Sequence, residues 1–304
     1  MSSQTTPTIL QTVSNTAPLL FILGPCVIES EQATLEAAEF LTNLSKELSF
    51  NLVFKGSFDK ANRSSVSGFR GVGIDKGLAI LETVRSRYNV PVITDIHTSA
   101  HTPEVASVVD ILQIPAFLAR QTDLLVAAGN TGKYLHIKKG QFMTARQMGH
   151  AVDKVVSLTG NDKVWLCERG YTFGYENLVV DYRVFSQLKQ HNVPVVFDAT
   201  HSVQLPGGAA DGSSAGQRHY VSDLAAAAVT QRLAGLFMEV HPEPEKALCD
   251  GPNSVRWADL PALLRYLIDL DRFVKQYPPV VLDQGKELAH TSVPDRGQAR
   301  ACRL

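Results

Sequence analysis

Eight short apolar runs, each followed by a stretch with helical spacing, leave this chain few folds to choose from. The runs are 19–24, 52–55, 92–95, 111–114, 134–138, 164–168, 195–198 and 236–239. They are mostly continuous in hydrophobicity rather than alternating, as parallel strands covered on both faces should be. Between them, Ala37, Leu41, Leu44 and Leu48 make one apolar helical face, and Leu78, Leu81, Val84 and Tyr88 make another. Thr102-Pro103 reads as an N-cap followed by proline at the first helical position. Thr144 is placed to cap a helix running to Leu158, with Gly160 as its stop, and Ser222 to cap 223–233. The last helix is expected over 261–275. Parallel strands need crossovers, and eight such units predict a closed (β/α)8 barrel over 19–278. The rival is an open doubly wound sheet, which no Gly-rich dinucleotide fingerprint supports. Residues 1–18 read as a flexible N-terminal extension and 279–304 as a C-terminal one.

Composition narrows the function. The chain of 304 residues is 44% hydrophobic and 19% charged, with a formal net charge of −1. That balance gives no reason to expect a nucleic-acid or membrane surface. Its four cysteines, Cys26, Cys167, Cys249 and Cys302, show no disulfide spacing, so a reducing, cytoplasmic setting is expected. The first 18 residues lack the basic and apolar regions of a signal peptide. No apolar run approaches the roughly 20 residues that span a bilayer.

Polar residues gather where the strands end. Cys26 and Glu29 follow the first strand, and the second ends at Lys55, followed by Ser57, Lys60, Asn62 and Arg63. Asp95 and His97 end the third, Gln113 the fourth, Lys138 the fifth, and Glu168 with Arg169 the sixth. Asp198 and His201 end the seventh, Glu239 and His241 the eighth. One or two polar strand ends mean only that a loop begins there. Eight of them converging on one barrel rim predict an active site. Lys55, Lys60, Lys138 and Arg169 should face one centre, and such a cluster repels itself unless anions occupy it. Phosphate and carboxylate are the natural ligands. Two anionic groups on the substrates are therefore expected.

Cys26, His201, Glu239 and Asp250 form a second set, with the sulfur, nitrogen and oxygen donors that suit Zn2+, Fe2+ or Mn2+. Their spacing does not reveal a site. Read alone, Cys26 is more simply a small buried hydrophobe and His201 a hydrogen-bonded structural residue. The Gly-, Ala- and Ser-rich segment 205–217 is either a plain linker or a lid over the rim, and its position favours the lid.

These residues fall in a series of motifs: GPCVIES at 24–30, FKGSFDKANRSS at 54–65, ITDIH at 93–97 and QIPAFLARQTDL at 113–124. IKKGQF at 137–142, CERGYTFGYENLVVD at 167–181, FDATHSVQLPGG at 197–208 and EVHPEPEKALCDGP at 239–252 complete it. In them the chain resembles the 3-deoxy-D-manno-octulosonate 8-phosphate (KDO8P) synthases, over roughly 21–275. The resemblance implies a barrel enzyme that condenses phosphoenolpyruvate with arabinose 5-phosphate and water, releasing inorganic phosphate, for lipopolysaccharide biosynthesis. It implies that Lys55, Ser57, Lys60, Gln113, Lys138 and Arg169 hold phosphoenolpyruvate. Asn62, Arg63 and Ser64 would bind the sugar phosphate, and Asp95 and His97 would line the reacting carbons. Lys60, Asp95, His97 and His201 are the implied catalytic group. The family forms homotetramers, in which Phe117 would reach a neighbour's site.

One class of the family carries Cys in the first loop and binds a divalent metal, and Cys26, His201, Glu239 and Asp250 place this chain in it. Against that, Cys249-Asp250-Gly251-Pro252 looks like the segment of metal-independent members. Related synthases that use erythrose 4-phosphate typically carry a KPRTS-like segment where this chain has Lys60-Ala61-Asn62-Arg63-Ser64. They are the nearest alternative. A noncatalytic phosphosugar-binding barrel and a metal-dependent aldolase or lyase are more distant ones.

Overall fold

Eight parallel strands close on themselves in the computed structural model, which describes residues 7–63, 66, 68–175, 177–208, 215–280 and 282. The strands are β1 (Leu20–Gly24), β2 (Asn51–Lys55), β3 (Val92–Asp95), β4 (Ile111–Ile114), β5 (Tyr134–Lys138), β6 (Val164–Glu168), β7 (Val195–Asp198) and β8 (Gly235–His241). Each pairs with the next, and β1 pairs with β8 from Leu20↔Gly235 to Gly24↔Glu239. That last pairing excludes the open sheet and completes the expected (β/α)8 barrel. The helices are α1 (Glu31–Leu48), α2 (Ile74–Tyr88), α3 (Thr102–Val108), α4 (Thr122–Gly129), α5 (Ala145–Thr159), α6 (Arg183–Lys189), α7 (Val221–Val229) and α8 (Leu260–Lys275).

Local chemistry explains the helix ends. Thr144 and Gln147 form a reciprocal capping box at α5, and Gly160 ends it in the left-handed conformation. Two expected caps need correction. Thr102 is inside α3, because a 3-10 turn at Ser99–His101 leads into it, and the Thr102 hydroxyl donates to the Thr98 carbonyl instead. Ser222 likewise sits inside α7, behind a turn at Arg218–Tyr220.

Alternation along each strand builds two separate cores. Outward residues such as Phe21, Leu52, Phe54, Leu112, Leu135, Leu166, Phe197 and Leu236 pack against the helices. Inward residues Leu20, Ile22, Val53, Ile93, Ile111, Tyr134, Trp165, Val196 and Phe237 fill the barrel. The expected free N-terminal extension needs correction over its described part. Leu10, in a helical turn at Thr8–Gln11, is buried against the barrel's interior cluster and plugs its lower end. The Asn15 side chain donates to the Val193 carbonyl and accepts from the Val195 N–H, and Lys275 Nζ donates to the Ala17 carbonyl, stitching this segment down. The C-terminal extension beyond 282 lies outside the described residues, as do 209–214 of the expected lid. The flanks of that segment, Gln204–Leu205 and Ala215–Gly216, form a short antiparallel ribbon. Among the described residues, no helix is long and apolar enough to cross a membrane.

Candidate active site

Two residues above the apolar layer, the same inward face turns polar. Val53 gives way to Lys55, Ile93 to Asp95, Ile111 to Gln113, Tyr134 to His136 and then Lys138, Val196 to Asp198, and Phe237 to Glu239. These side chains are buried, so each must find a partner. Lys55 Nζ donates to Glu239 Oε1 at 2.8 Å and to the carbonyls of Pro25 (3.1 Å) and Cys26 (2.6 Å). Gly24 lets the backbone of Lys55 lie close beside it, since a Cβ there would overlap the Lys55 carbonyl oxygen. Ser57 Oγ and the Gln113 amide both donate to Asp95, and Lys138 Nζ donates to Asp198. His136 Nδ1 lies 3.0 Å from Gln113 Oε1.

Above this layer opens a cavity of about 430 Å3 at the C-terminal ends of the strands. It is lined by Lys60, Asn62, Arg63, Asp95, His97, Gln113, Phe117, Lys138, Arg169, His201, Glu239 and Asp250. The structure therefore gathers most of the anticipated residues. Lys55, Ser57 and Cys26 lie beneath the lining, and Ser64 is outside the described residues. Glu168 is not at the rim. It ends β6 one residue out of phase with the inward side chains, is fully buried, and faces Lys139. A larger groove of about 930 Å3 lies between the α7 entry, the loop after β8 and α8. Among the described residues that line it there is no comparable cation cluster, and Arg218 pairs with Glu245.

The expectation of a self-repelling cation cluster also needs correction. The protein supplies carboxylates of its own, with Lys55 and Lys60 on Glu239 and Lys138 on Asp198. Burial alone would raise the carboxyl pKa values, but the cations prevail. Lys60, Lys55, His97 and the Gln113 amide hold Asp95 well below the usual carboxylate range. His201, Lys55 and Lys60 pull Glu239 down to about 2, and His201 and Lys138 depress Asp198. One buried donor in the cavity wall remains unmatched. Arg169 is buried, its Nη2 donates to Gln204 Oε1 at 3.1 Å, and its Nη1 has no partner among the described residues. Burial lowers the His97 pKa, and its Nδ1 is likewise unpartnered.

The metal-type donors also meet. His201 Nε2 is 3.5 Å from Glu239 Oε1 and 3.6 Å from Asp250 Oδ2, and the Cys26 thiol donates to Asp250 Oδ2 at 3.5 Å. Two three-residue groups result, Cys26 with Cys249 and Asp250, and His201 with Glu239 and Asp250, sharing the last residue. His201 Nδ1 is 2.7 Å from Asp198 Oδ2, which leaves Nε2 to face the two carboxylates, as a ligating histidine requires. Glu239 Oε2 is buried with no partner. The donor set fits a divalent cation. Burial, reinforced by Cys249 and Glu239, pushes the Cys26 thiol well up, with Lys60 opposing it only in part. Asp250 reaches the site from a left-handed backbone turn with φ 48°, a conformation Asp tolerates.

Sequence reasoning passed over Cys249, Gln141 and Gln204 as site residues. Cys249 accepts a 2.8 Å contact from Arg63 Nη1, and Gln204 bridges Arg169 and Asp250. Gln141 and Gln204 stand inside motifs already singled out, IKKGQF and FDATHSVQLPGG, which was the available signal.

A closed (β/α)8 barrel with a charged cavity at the C-terminal ends of its strands defines a barrel enzyme of the kind that handles anionic substrates. Residues 9–276 match the model of the DAHP synthetase I family. The chain belongs to that family. It is 55% identical over 259 residues to a protein of Citrifermentans bemidjiense named 2-dehydro-3-deoxyphosphooctonate aldolase, covering 85% of this chain and 94% of that one. Proteins of the same name from Geotalea daltonii and Francisella tularensis subsp. holarctica are 56% identical over 258 residues and 51% over 270. These matches cover 85% and 89% of this chain and 94% and 98% of the relatives. That name belongs to the KDO8P synthases, the group the motifs resemble.

Proposed function

We propose that the chain condenses phosphoenolpyruvate with D-arabinose 5-phosphate and water to give 3-deoxy-D-manno-octulosonate 8-phosphate and inorganic phosphate. The observation that carries this reading is the buried, unpartnered Nη1 of Arg169 beside Lys138 and Lys60 in one cavity. A free guanidinium donor flanked by two ammonium groups matches a small molecule bearing both phosphate and carboxylate. The shared name of the relatives supports the sugar phosphate as co-substrate.

In the reaction, C3 of phosphoenolpyruvate bonds to the aldehyde carbon, water adds at C2, and phosphate leaves. Lys60, Lys138 and Arg169 bind the phosphate and carboxylate and fix the face of the enol. Arg63 and Asn62, with Ser64, take the sugar phosphate, and Arg63 exchanges its contact with Cys249 for that anion. Holding two anionic substrates in line supplies several kcal/mol of the barrier reduction. Asp95 stays ionised and neutralises charge that develops at C2. Burial favours the neutral form of His97, whose unpartnered Nδ1, carrying the ring proton, donates to the aldehyde oxygen as it becomes an alkoxide. Cys26, His201, Glu239 and Asp250 would hold a divalent ion such as Zn2+, Fe2+ or Mn2+, which would supply Lewis acidity at an oxygen of the site. Phe117 is exposed at the rim of the cavity, the side chain that the family resemblance extends towards a neighbour's site in a homotetramer. The free thiols Cys26, Cys167 and Cys249 support a reducing, cytoplasmic setting.

The test is phosphate release from phosphoenolpyruvate with arabinose 5-phosphate or erythrose 4-phosphate, with and without a chelator. Release with the pentose, lost on chelation along with bound metal measured by emission spectrometry, is expected. Preference for erythrose 4-phosphate would move the chain to the other synthase, and activity in metal-free protein would remove the metal's role.

A further inference from the structure

Behind the cavity wall, one residue out of phase with its cations, a lysine and a glutamate are buried together. Lys139 and Glu168 are both fully buried. Lys139 Nζ lies 3.5 Å from Glu168 Oε2 and 3.5 Å from the Tyr171 ring centroid. Neither residue lines the cavity. A buried pair of charges carries a large desolvation cost, and apolar side chains of similar volume often fill such a space as well or better. Stability alone does not account for it.

What the pair grips is one residue. Glu168 Oε1 accepts the Gly170 N–H at 2.6 Å, and Lys139 Nζ donates to the Gly170 carbonyl at 2.9 Å. Lys139 Nζ also donates to the Gly140 carbonyl at 3.3 Å, and its own N–H donates to the Cys167 carbonyl at 2.7 Å. Gly170 has φ +93°, and a Cβ there would come within 3.3 Å of Leu178 Cβ, so the turn is held in a shape that favours glycine. Arg169 immediately precedes Gly170, and Lys138 immediately precedes Lys139. The two cavity cations thus hang from two backbone segments that the hidden pair ties together. The Thr172 N–H to Gln141 carbonyl bond, 3.1 Å, adds a second tie between the same loops.

We infer that Lys139 and Glu168 are positioning residues, which clamp the Gly170 backbone so that Arg169 and Lys138 keep the spacing that fits the phosphate and carboxylate of one three-carbon acid. Charge-assisted bonds make this clamp stiffer than neutral ones. The inference rests on the phosphoenolpyruvate reading above. The clamp acts on one substrate only, since Asn62 and Arg63 come from the loop after β2.

The experiment compares the full-length wild type with Glu168→Gln, Glu168→Asp and the double variant Lys139→Met/Glu168→Met. Phosphate release is measured against each substrate with the other saturating, together with thermal unfolding. Gln keeps an acceptor within reach of Gly170, Asp withdraws it, and the double variant removes both grips. The KM for phosphoenolpyruvate is expected to rise in that order, by about tenfold in the double variant. The KM for the sugar phosphate should change by less than about twofold. If the double variant does not fold, the order of the Gln and Asp variants decides alone. An equal KM in both, or a parallel rise for both substrates, overturns the clamp. Wild-type protein that releases no phosphate with either aldose sinks the functional reading instead, whereas active wild type with unselective variants sinks only this inference.

Discussion

The floor and the mouth of this barrel are made by the same eight strands, on the same inward face, two residues apart. At the floor, Val53, Ile93, Ile111, Trp165, Val196 and Phe237 are buried among themselves and closed from below by Leu10. At the mouth, Lys55, Asp95, Gln113, Asp198 and Glu239 are buried nearly as deeply, yet as ions and amides bonded to one another. The floor gains free energy from removing apolar surface from water. The mouth spends part of that gain to hold charges in place before any substrate arrives, which is what electrostatic preorganisation requires. Stability and function are separated along the barrel axis by one turn of the strand pleat, and substitutions should sort accordingly.

The sharpest separation is expected at Arg169. Arg169→Ala should lower kcat/KM by about 10³-fold, within the range of a lost oxyanion-type donor, while leaving the unfolding midpoint near that of wild type. A large loss of stability with little loss of activity would break the comparison from the mouth side. At the floor, Trp165→Ala should cost about 3–5 kcal/mol in urea unfolding, with kcat/KM per folded molecule changed by less than about threefold. Leu10→Ala, which opens the plug, should cost about 2 kcal/mol by the same mechanism and leave kinetics alone. Arg63→Ala sharpens the map within the mouth. It should raise the KM for the sugar phosphate about tenfold or more and that for phosphoenolpyruvate far less, and equal effects would contradict the assignment.

A pH-dependent effect sits at the boundary between the layers. His136 is fully buried, and burial together with Lys138 lowers its pKa from 6.5 to about 3. The unfolded chain therefore binds a proton there that the folded chain refuses between those two values. Stability contributed by the neutral imidazole is complete above pH 6.5 and falls as pH drops toward 3, by at most about 1.4 kcal/mol per unit. His136→Asn should flatten that part of a urea-midpoint profile taken against pH. An unchanged slope would place the acid sensitivity elsewhere.

How much of this was legible beforehand follows the same division. β3 to β7 were read to the residue, because continuous apolar runs ending in a polar side chain mark parallel strands sharply. The helix entries at Thr102 and Ser222 were misread because a 3-10 turn precedes each, and cap residues look the same on either side of such a turn. Glu168 was placed at the rim because it ends β6 and a second charged residue, Arg169, follows at once. Which of the two faces inward is set by strand phase, and Arg169 has that position. The gathering of Cys26, His201, Glu239 and Asp250 was readable only through family resemblance, since three of them lie on loops that meet Glu239 of β8 only when the barrel closes. The neutralising role of the strand-end carboxylates was missed for the opposite reason. Each was noted singly, but pairs such as Lys138 with Asp198 exist only across strands.

The central claim is that the mouth, and not the larger groove beside α8, grips the phosphorylated acid. A crystal structure of the protein soaked with phosphoenolpyruvate tests it most directly. Phosphate and carboxylate oxygens within hydrogen-bonding distance of Arg169 and Lys138, with Arg169 Nη1 now partnered, are the predicted result. Phosphoenolpyruvate bound among Arg218, Glu245 and Tyr266, with Arg169 Nη1 still unpartnered, would contradict it.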